Sequence, residues 1–153
     1  MPNETEVTAT LTDTSASATT VVDAPAGEVF DFVRAPVNHP SISGDGTVRG
    51  VVRGPDLLQA ESTFRMRMRR GVPYRITSRV VEFERDRVIA WHHRGGNRWR
   101  WQLEPLDGAR TRVTETYDQS RTRLAPLLRL LGYPKNHMDN VASSVARVAE
   151  HFS

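Results

Sequence analysis

The sequence predicts one α+β domain in which a curved antiparallel β-sheet wraps around a long C-terminal α-helix. Three observations predict this fold. Turn residues recur at short intervals between residues 47 and 119, apolar and polar side chains alternate in the runs between the turns, and the last helix carries a continuous apolar stripe. A chain of 153 residues is long enough for one hydrophobic core and too short to divide comfortably into two.

The N-terminal part of the chain predicts a tail, a first strand and two short helices. Residues 1–14 are polar and rich in threonine, which indicates a flexible segment, and a single domain is expected to span 15–153. A helix begins near Pro25, because proline is tolerated in the first turn of a helix. Pro36 and Pro40 then limit the following segment to two short helices and a turn.

The middle of the chain predicts a series of adjacent hairpins. Alternation is clearest in 64–69 and 98–103, where every second residue is apolar and its neighbours are charged or polar. One face of the sheet is therefore buried and the other is exposed to water. The turn residues that separate the strands lie at 54–56, 71–73, 85–86, 95–97 and 107–108.

The C-terminal part predicts a short helix over about 125–131 and a longer one over about 135–152. Apolar residues of the longer helix recur at spacings of three and four, which places them on one face. The apolar face of the sheet is the only surface large enough to cover this stripe, so the sheet packs on the helix. The stripe consists of Met138, Val141, Val145, Val148 and Phe152.

Three segments carry a resemblance to a known family: VVDAPAGEVFDFV at 21–33, His39-Pro40, and RTRVTETY at 110–117. With the order of elements, they resemble the START-like superfamily, also called SRPBCC. Its members include pollen allergen relatives, lipid-transfer domains and polyketide cyclase or dehydrase-like proteins. The resemblance implies the helix-grip fold over residues 15–153. It also implies a cavity between sheet and long helix that binds a lipid, sterol, quinone or polyketide. It implies fold and cavity rather than an activity.

The inner face of the strands supplies candidate ligand-binding side chains. Two tryptophans on the inner face of one strand are too bulky to fill a thin layer, and methionine adapts to ligands of irregular shape. Ordinary core packing is the alternative for each residue taken singly. The candidates are Phe64, Met66, Met68, Tyr74, Ile76, Trp91, Trp99, Trp101 and Tyr117 from the strands, with Met138 and Val141 from the helix.

Glu115 is the first candidate catalytic residue. Val113 and Tyr117 define the inner face of its strand, so the same face carries Glu115 toward the cavity. Desolvation there would raise the pKa of the carboxyl and suit it to general acid or base chemistry, or to hydrogen bonding with a ligand hydroxyl. The alternatives are a solvated or arginine-paired glutamate near the mouth, or a strand bulge that turns it outward.

His93 is the second candidate catalytic residue. His92 and His93 are adjacent and face opposite sides of their strand, so only one points inward. A three-residue turn near residues 95–96 would place His93 beside Trp99, in one row with Glu115. A two-residue turn would instead pair His92 with Trp99. An exposed histidine at the end of a hairpin is the alternative.

The composition excludes several kinds of site. The absence of cysteine excludes disulfides, thiol nucleophiles and iron–sulfur clusters. The five histidines lack HExxH-type spacing and there is no glycine-rich phosphate loop, so we expect no metal and no cofactor. No segment approaches the ~20 apolar residues of a membrane-spanning helix, and the first twenty residues have neither the apolar run nor the positive charge of a secretory signal. A cytoplasmic protein without integral membrane association is therefore expected. The net charge is only +3 and no nucleic-acid motif occurs, so no nucleic-acid partner is expected.

Together these observations favour a carrier or sensor of a small hydrophobic molecule, such as a lipid or polyketide. The alternative is an enzyme of the polyketide cyclase or dehydratase type that uses Glu115 as acid or base with a histidine partner. The identity of the ligand, the presence of catalysis and the oligomeric state stay open, a homodimer among them.

Overall fold

The computed structural model describes residues 6–93 and 96–153. These residues form eight strands and four α-helices. The strands are β1 (Thr8–Leu11), β2 (Ser15–Val22), β3 (Val48–Arg53), β4 (Thr63–Arg70), β5 (Val72–Glu84), β6 (Val88–His93), β7 (Arg98–Pro105) and β8 (Thr111–Asp118). The helices are α1 (Ala26–Val33), α2 (His39–Ile42), α3 (Ala125–Leu130) and α4 (Met138–His151). Short 3-10 turns at Pro36–Asn38 and Lys135–His137 lead into α2 and α4.

All eight strands belong to one antiparallel sheet, ordered β1-β2-β8-β7-β6-β5-β4-β3. From β3 to β8, each strand pairs with the next along the chain, as expected for adjacent hairpins. The N-terminal strands join the sheet beside β8: β2 pairs with β8, and β1 pairs with β2 at the edge of the sheet. The prediction of an α+β fold with a curved sheet around the C-terminal helix is confirmed, and so are the two short helices between β2 and β3.

The alternation of side chains predicts the buried face of the sheet correctly. In β4, Phe64 and Met66 are buried, whereas Arg67, on the opposite face of the strand, is exposed. In β2, the inward residues Ala16 and Ala18 are almost completely buried. Because alanine is small, the helix backbone approaches this part of the sheet closely, and α4 packs mainly against β2.

The apolar stripe of α4 forms the centre of the core. Val141, Val145 and Val148 are completely buried, and Met138 and Phe152 pack at the two ends of the stripe. Burial of a valine side chain contributes roughly 1.5–3 kcal/mol relative to leaving it exposed. The predicted stripe is therefore the main anchor of the helix on the sheet.

The N-terminal segment differs from the sequence interpretation. Residues 8–11 form β1, which pairs with β2 at the edge of the sheet, although the sequence interpretation placed them in a flexible segment covering 1–14. All four residues of β1 are exposed, so no buried face imposes a period of two on the sequence. Residues 1–5 of that segment lie outside the described residues.

Among the described residues, none of the helices is both long and apolar enough to cross a membrane.

Candidate functional site

A cavity of about 340 Å³ lies between the inner face of the sheet and the helices. Strands β4 to β8 form one wall, and α2, α4 and the loop between α2 and β3 form the other. The three tryptophans of the chain all line this cavity. The lining includes every strand residue predicted to contact a ligand: Phe64, Met66, Met68, Tyr74, Ile76, Trp91, Trp99, Trp101 and Tyr117.

Aromatic side chains form a continuous row across three strands. Trp91 pairs with Trp99 across β6 and β7, and Trp99 pairs with Tyr117 across β7 and β8. The rings of Trp99 and Tyr117 lie 5.0 Å apart, and His39 stacks on Trp91 with ring centroids 4.9 Å apart. Phe64 meets Trp91 edge to face at 5.7 Å. Such pairs hold the rings in fixed orientations and give the cavity a defined flat wall.

The helix side of the cavity differs from the sequence prediction. Met138 and Val141 do not line it, because their side chains point into the core that α4 shares with the sheet. Asn140 and Ser144 line the cavity instead. Successive residues of a helix are rotated by about 100°, so the residues just before Val141 and Val145 face a different direction from the apolar stripe. Hydrophobic periodicity finds the stripe but not this polar flank.

Glu115 lies at the closed end of the cavity, which we call the floor. In β8 it pairs with Trp101 on one side and with Ala18 on the other, and only 5% of its surface is exposed. Burial raises the pKa of its carboxyl well above 4.5, and the Ser144 hydroxyl opposes this shift only in part. Its Oε1 atom has no hydrogen-bond partner within the described part of the chain. Burial therefore favours the neutral carboxylic acid form of Glu115, and one of its oxygens is free.

His93 faces the cavity, and His92 pairs with Arg98 on the opposite face of the sheet. The indole Nε1 of Trp99 donates a hydrogen bond to His93 Nε2 at 3.2 Å. An indole nitrogen only donates, so the ring proton of His93 resides on Nδ1, which lies 2.8 Å from Ser78 Oγ and donates to it. Burial lowers the pKa of His93 to about 4. Its imidazole is therefore neutral and both of its nitrogens are engaged.

Glu115 and His93 do not form a pair. Both line the cavity, but the strand register separates them. Ile89, Trp101 and Glu115 share one row of the sheet, and His93 lies four residues beyond Ile89 on β6. At ~3.3 Å per residue, this places His93 about 13 Å further along the sheet. Neither predicted turn between β6 and β7 gives the observed register, and residues 94 and 95 of that turn lie outside the described residues.

Two further histidines in the cavity were not predicted as site residues. His39 donates from Nε2 to the Val33 carbonyl at 2.8 Å, and burial lowers its pKa to about 4. His137 lies against Tyr117, and burial lowers its pKa to about 4 as well. His137 stands four residues before Val141 on the apolar stripe, so helical spacing alone was sufficient to predict that it faces inward.

The open end of the cavity, which we call the mouth, contains charged side chains. Arg70 at the end of β4 donates to Asp45 at 3.0 Å and to the Tyr133 hydroxyl at 3.1 Å. Met68, Tyr74 and Leu128 complete this region, and Tyr74 is 39% exposed. No sequence signal indicated the contact, because the three bonded residues come from segments far apart in the chain.

No group of three or more histidine, aspartate and glutamate side chains among the described residues is arranged to hold a metal ion.

The protein belongs to a family described as polyketide cyclase / dehydrase and lipid transport, which matches residues 13–151. This family is part of the START-like superfamily, so the resemblance found in the sequence is confirmed. A relative, the uncharacterized protein Rv0088 of Mycobacterium tuberculosis, is 35% identical over 137 residues. The alignment covers 86% of this chain and 61% of the relative, so the chain spans less than two thirds of that protein.

Several solved structures share the fold. A protein of Rhodobacter sphaeroides has a TM-score of 0.69 at 14% identity and covers 95% of this chain and 97% of its own. Protein Ms6760 of Mycobacterium smegmatis has a TM-score of 0.69 at 13% identity, with 96% of each chain covered. The Zhui aromatase/cyclase of Streptomyces sp. R1128 has a TM-score of 0.63 at 20% identity, with 89% and 92% covered. At these identities the likeness establishes the fold alone.

Proposed function

We propose that this protein binds a small, uncharged and largely apolar molecule in the cavity between the sheet and α4, as a carrier or sensor. The observation that carries the proposal is the cavity, with about 340 Å³ of space and a mostly apolar wall. Ligand pockets in proteins commonly measure ~300–1,000 Å³ and have apolar walls with a few polar groups. The family description supports it, because lipids carry long apolar chains and polyketide chains are uncharged molecules with carbonyl oxygens that accept hydrogen bonds.

The ionisation states of the wall favour an uncharged ligand. Burial lowers the pKa of His39, His93 and His137 to about 4, and it raises the pKa of Glu115 well above 4.5. At neutral pH the three imidazoles are therefore neutral, and burial favours the neutral form of the carboxyl as well. A charged ligand would lose its hydration in the cavity without gaining a buried counter-charge from any of these four groups.

Glu115 gives the floor of the cavity a directional contact. Its protonated carboxyl would donate a hydrogen bond to a carbonyl, ether or hydroxyl oxygen at the end of a ligand. A buried polar group without a partner costs free energy, so a ligand that supplies the missing partner gains affinity over one that does not. Trp101, next to Glu115 on β7, would contact the apolar body of the same ligand.

Energy transfer from tryptophan provides a direct test of binding. All three tryptophans line the cavity, so light absorbed by the indoles excites only side chains of the cavity wall. Neutral aminoanthracene bound there should emit by transfer from the indoles. Lipid extracts and synthetic polyketide mimics are then scored by their ability to displace the dye. Failure of the purified, delipidated protein to bind the dye or any such competitor would contradict the proposal.

A pair of variants on β5 controls for surface binding. Ile76→Trp places a large side chain in the cavity, whereas Thr77→Trp places the same side chain on the exposed face of the strand. Because new tryptophans alter energy transfer, binding to the variants is followed by directly excited dye emission. Ile76→Trp should weaken dye binding by about tenfold or more, and Thr77→Trp should leave it unchanged. Equal effects of the two substitutions would locate the dye outside the cavity.

The pH dependence of binding tests the role of Glu115. Because burial raises its pKa, the carboxyl donates a hydrogen bond below that pKa and loses its proton as the pH rises through it. Affinity for a ligand with a carbonyl oxygen should therefore fall at alkaline pH. Glu115→Gln retains a donor at every pH, so binding to this variant should be insensitive over the same range. An identical alkaline decline in both proteins would contradict the assigned contact.

A second candidate function is a cyclase or dehydratase that acts on a polyketide-like substrate. The carboxyl of Glu115 favours it, because it has a free oxygen and a raised pKa, and in its protonated form it can donate a proton to a carbonyl or to a departing hydroxyl. His93 is a weak partner, because it lies far from Glu115 and both of its nitrogens are engaged. Glu115→Gln separates the two functions: as an enzyme, the variant should lose turnover of a poly-β-keto substrate while still binding it. Unchanged turnover would exclude Glu115 as the acid.

A further inference from the structure

Helix α3 and the residues on either side of it expose an unusual amount of apolar surface. Leu124 is 57% exposed, Leu127 50%, Leu130 82% and Leu131 63%, and no residue of α3 is buried. We call these four residues the leucine patch. Leucine side chains standing together in water are unfavourable, so a contiguous exposed patch of this kind usually marks a contact surface. The patch is separate from the cavity wall, to which α3 contributes Leu128.

The leucine patch lies at the mouth of the cavity. Asp118 at the end of β8 pairs with Arg98 at the start of β7, so the chain enters the α3 region beside the β6–β7 turn. Ser78 pairs with His93, so the first part of β5 extends beyond β6 at this same end. The turn between β4 and β5 therefore stands at the same end of the sheet. Val72 in this turn is 68% exposed.

Cationic side chains surround the leucine patch. Residues 121–135 contain four positively charged side chains and no negatively charged one. Arg121, Arg123, Arg129 and Lys135 are all exposed. Arg129 pairs with Asp13 at 2.9 Å, and in the described part of the chain no carboxylate forms an ion pair with the other three. Arginine and lysine that flank exposed leucine match the chemistry of a bilayer surface with anionic phosphates above an apolar interior.

We propose that the leucine patch and its cationic rim dock this protein on the surface of an anionic lipid bilayer. The leucines enter the boundary between headgroups and acyl chains, while Arg121, Arg123 and Lys135 contact lipid phosphates. The mouth of the cavity then faces the bilayer, and an apolar ligand passes between membrane and cavity without crossing water. The docking itself does not depend on the identity of that ligand.

Vesicle sedimentation tests the docking. The full chain is mixed with vesicles of phosphatidylcholine alone, or of phosphatidylcholine with phosphatidylglycerol. It should sediment with the second kind, and binding should weaken as salt is added, because salt screens exposed charges. Arg121→Gln with Arg123→Gln should reduce binding to the anionic vesicles several-fold. Leu127→Ser with Leu130→Ser should reduce it roughly tenfold or more, since two leucines no longer enter the bilayer.

Val37→Ser is the matched control for the leucine variants. Val37 is 73% exposed and lies in the 3-10 turn between α1 and α2, outside residues 121–135 that carry the leucine patch and its cationic rim. This substitution should leave vesicle binding unchanged. Dye binding measured without vesicles should be unchanged in the leucine variants, so failure of the docking and failure of the cavity proposal give different results.

Three results would overturn the docking proposal. The first is the absence of sedimentation with anionic vesicles. The second is a leucine variant that binds vesicles as well as the Val37→Ser control does. The third is a wild-type protein that is dimeric by analytical ultracentrifugation, becomes monomeric in the leucine variant and binds no vesicles. In that case a second copy of the chain covers the leucine patch.

Discussion

The floor and the mouth of the cavity are lined by similar apolar side chains, yet their surroundings differ completely. At the floor, Trp101 is 1% exposed, and burial of the neighbouring Glu115 raises the pKa of its carboxyl. At the mouth, Tyr74 is 39% exposed, and α3 places leucines in water. The difference teaches that an apolar residue in the sequence specifies a preference for burial, whereas the fold decides whether a partner surface exists. The floor has such a partner in α4, and the mouth does not.

The largest difference between floor and mouth is expected in the free energy of unfolding, when one aromatic residue is substituted at each end of the cavity. Trp101→Ala should lower the free energy of unfolding by about 3–5 kcal/mol, because it removes a large buried side chain. Tyr74→Ala at the mouth should lower it by less than about 1 kcal/mol, as is usual for exposed positions. Urea unfolding followed by circular dichroism measures both. Comparable losses would mean that the mouth is as tightly packed as the floor.

Acid should destabilise the protein through the buried histidines of the cavity wall. The pKa of His39 is lowered from 6.5 to about 4 in the folded protein, so its stabilising contribution is complete above pH 6.5 and is lost as the pH falls to about 4. The full loss for one such group is about 3 kcal/mol. His39→Gln keeps a donor for the Val33 carbonyl but does not titrate.

The measurement is the free energy of unfolding as a function of pH in wild type and His39→Gln. Three histidines share a similar lowering of the pKa, so removing one should reduce the slope between pH 6.5 and 4 by roughly a third. A superimposable pH profile would show that His39 is solvated in the folded protein.

The smallest effect is expected from the ion pair at the mouth. Arg70 and Asp45 are 3.0 Å apart, and their side chains are 53% and 29% exposed. Ion pairs exposed to water contribute about 0–1 kcal/mol, so Arg70→Gln should change the free energy of unfolding by less than about 1 kcal/mol. Arg79→Gln, which breaks the exposed pair of Arg79 with Glu61, serves as the control. A much larger loss from Arg70→Gln alone would show that the pair holds the mouth closed.

The sequence by itself determined the order of the elements from β2 onward, the inward face of the strands that line the cavity, and the stripe of α4. These follow from local rules, since the period of a strand is two and that of a helix is 3.6 residues. The alternation of side chains along a strand was sufficient to place Glu115 and Trp101 inward. It also showed that His93 faces the same side of the sheet as Trp91. The same rules failed for β1, where no face is buried.

The tertiary structure alone decided which inward residues are neighbours. The register between β6 and β7 separated His93 from Glu115, and a rotation of about 100° per residue placed Asn140 and Ser144, rather than Met138 and Val141, beside the cavity. The protonation of Glu115 and the exposure of the leucine patch depend in the same way on what packs against each segment. A sequence period fixes the direction of a side chain relative to its own element, but distance and desolvation depend on segments that are remote in the chain.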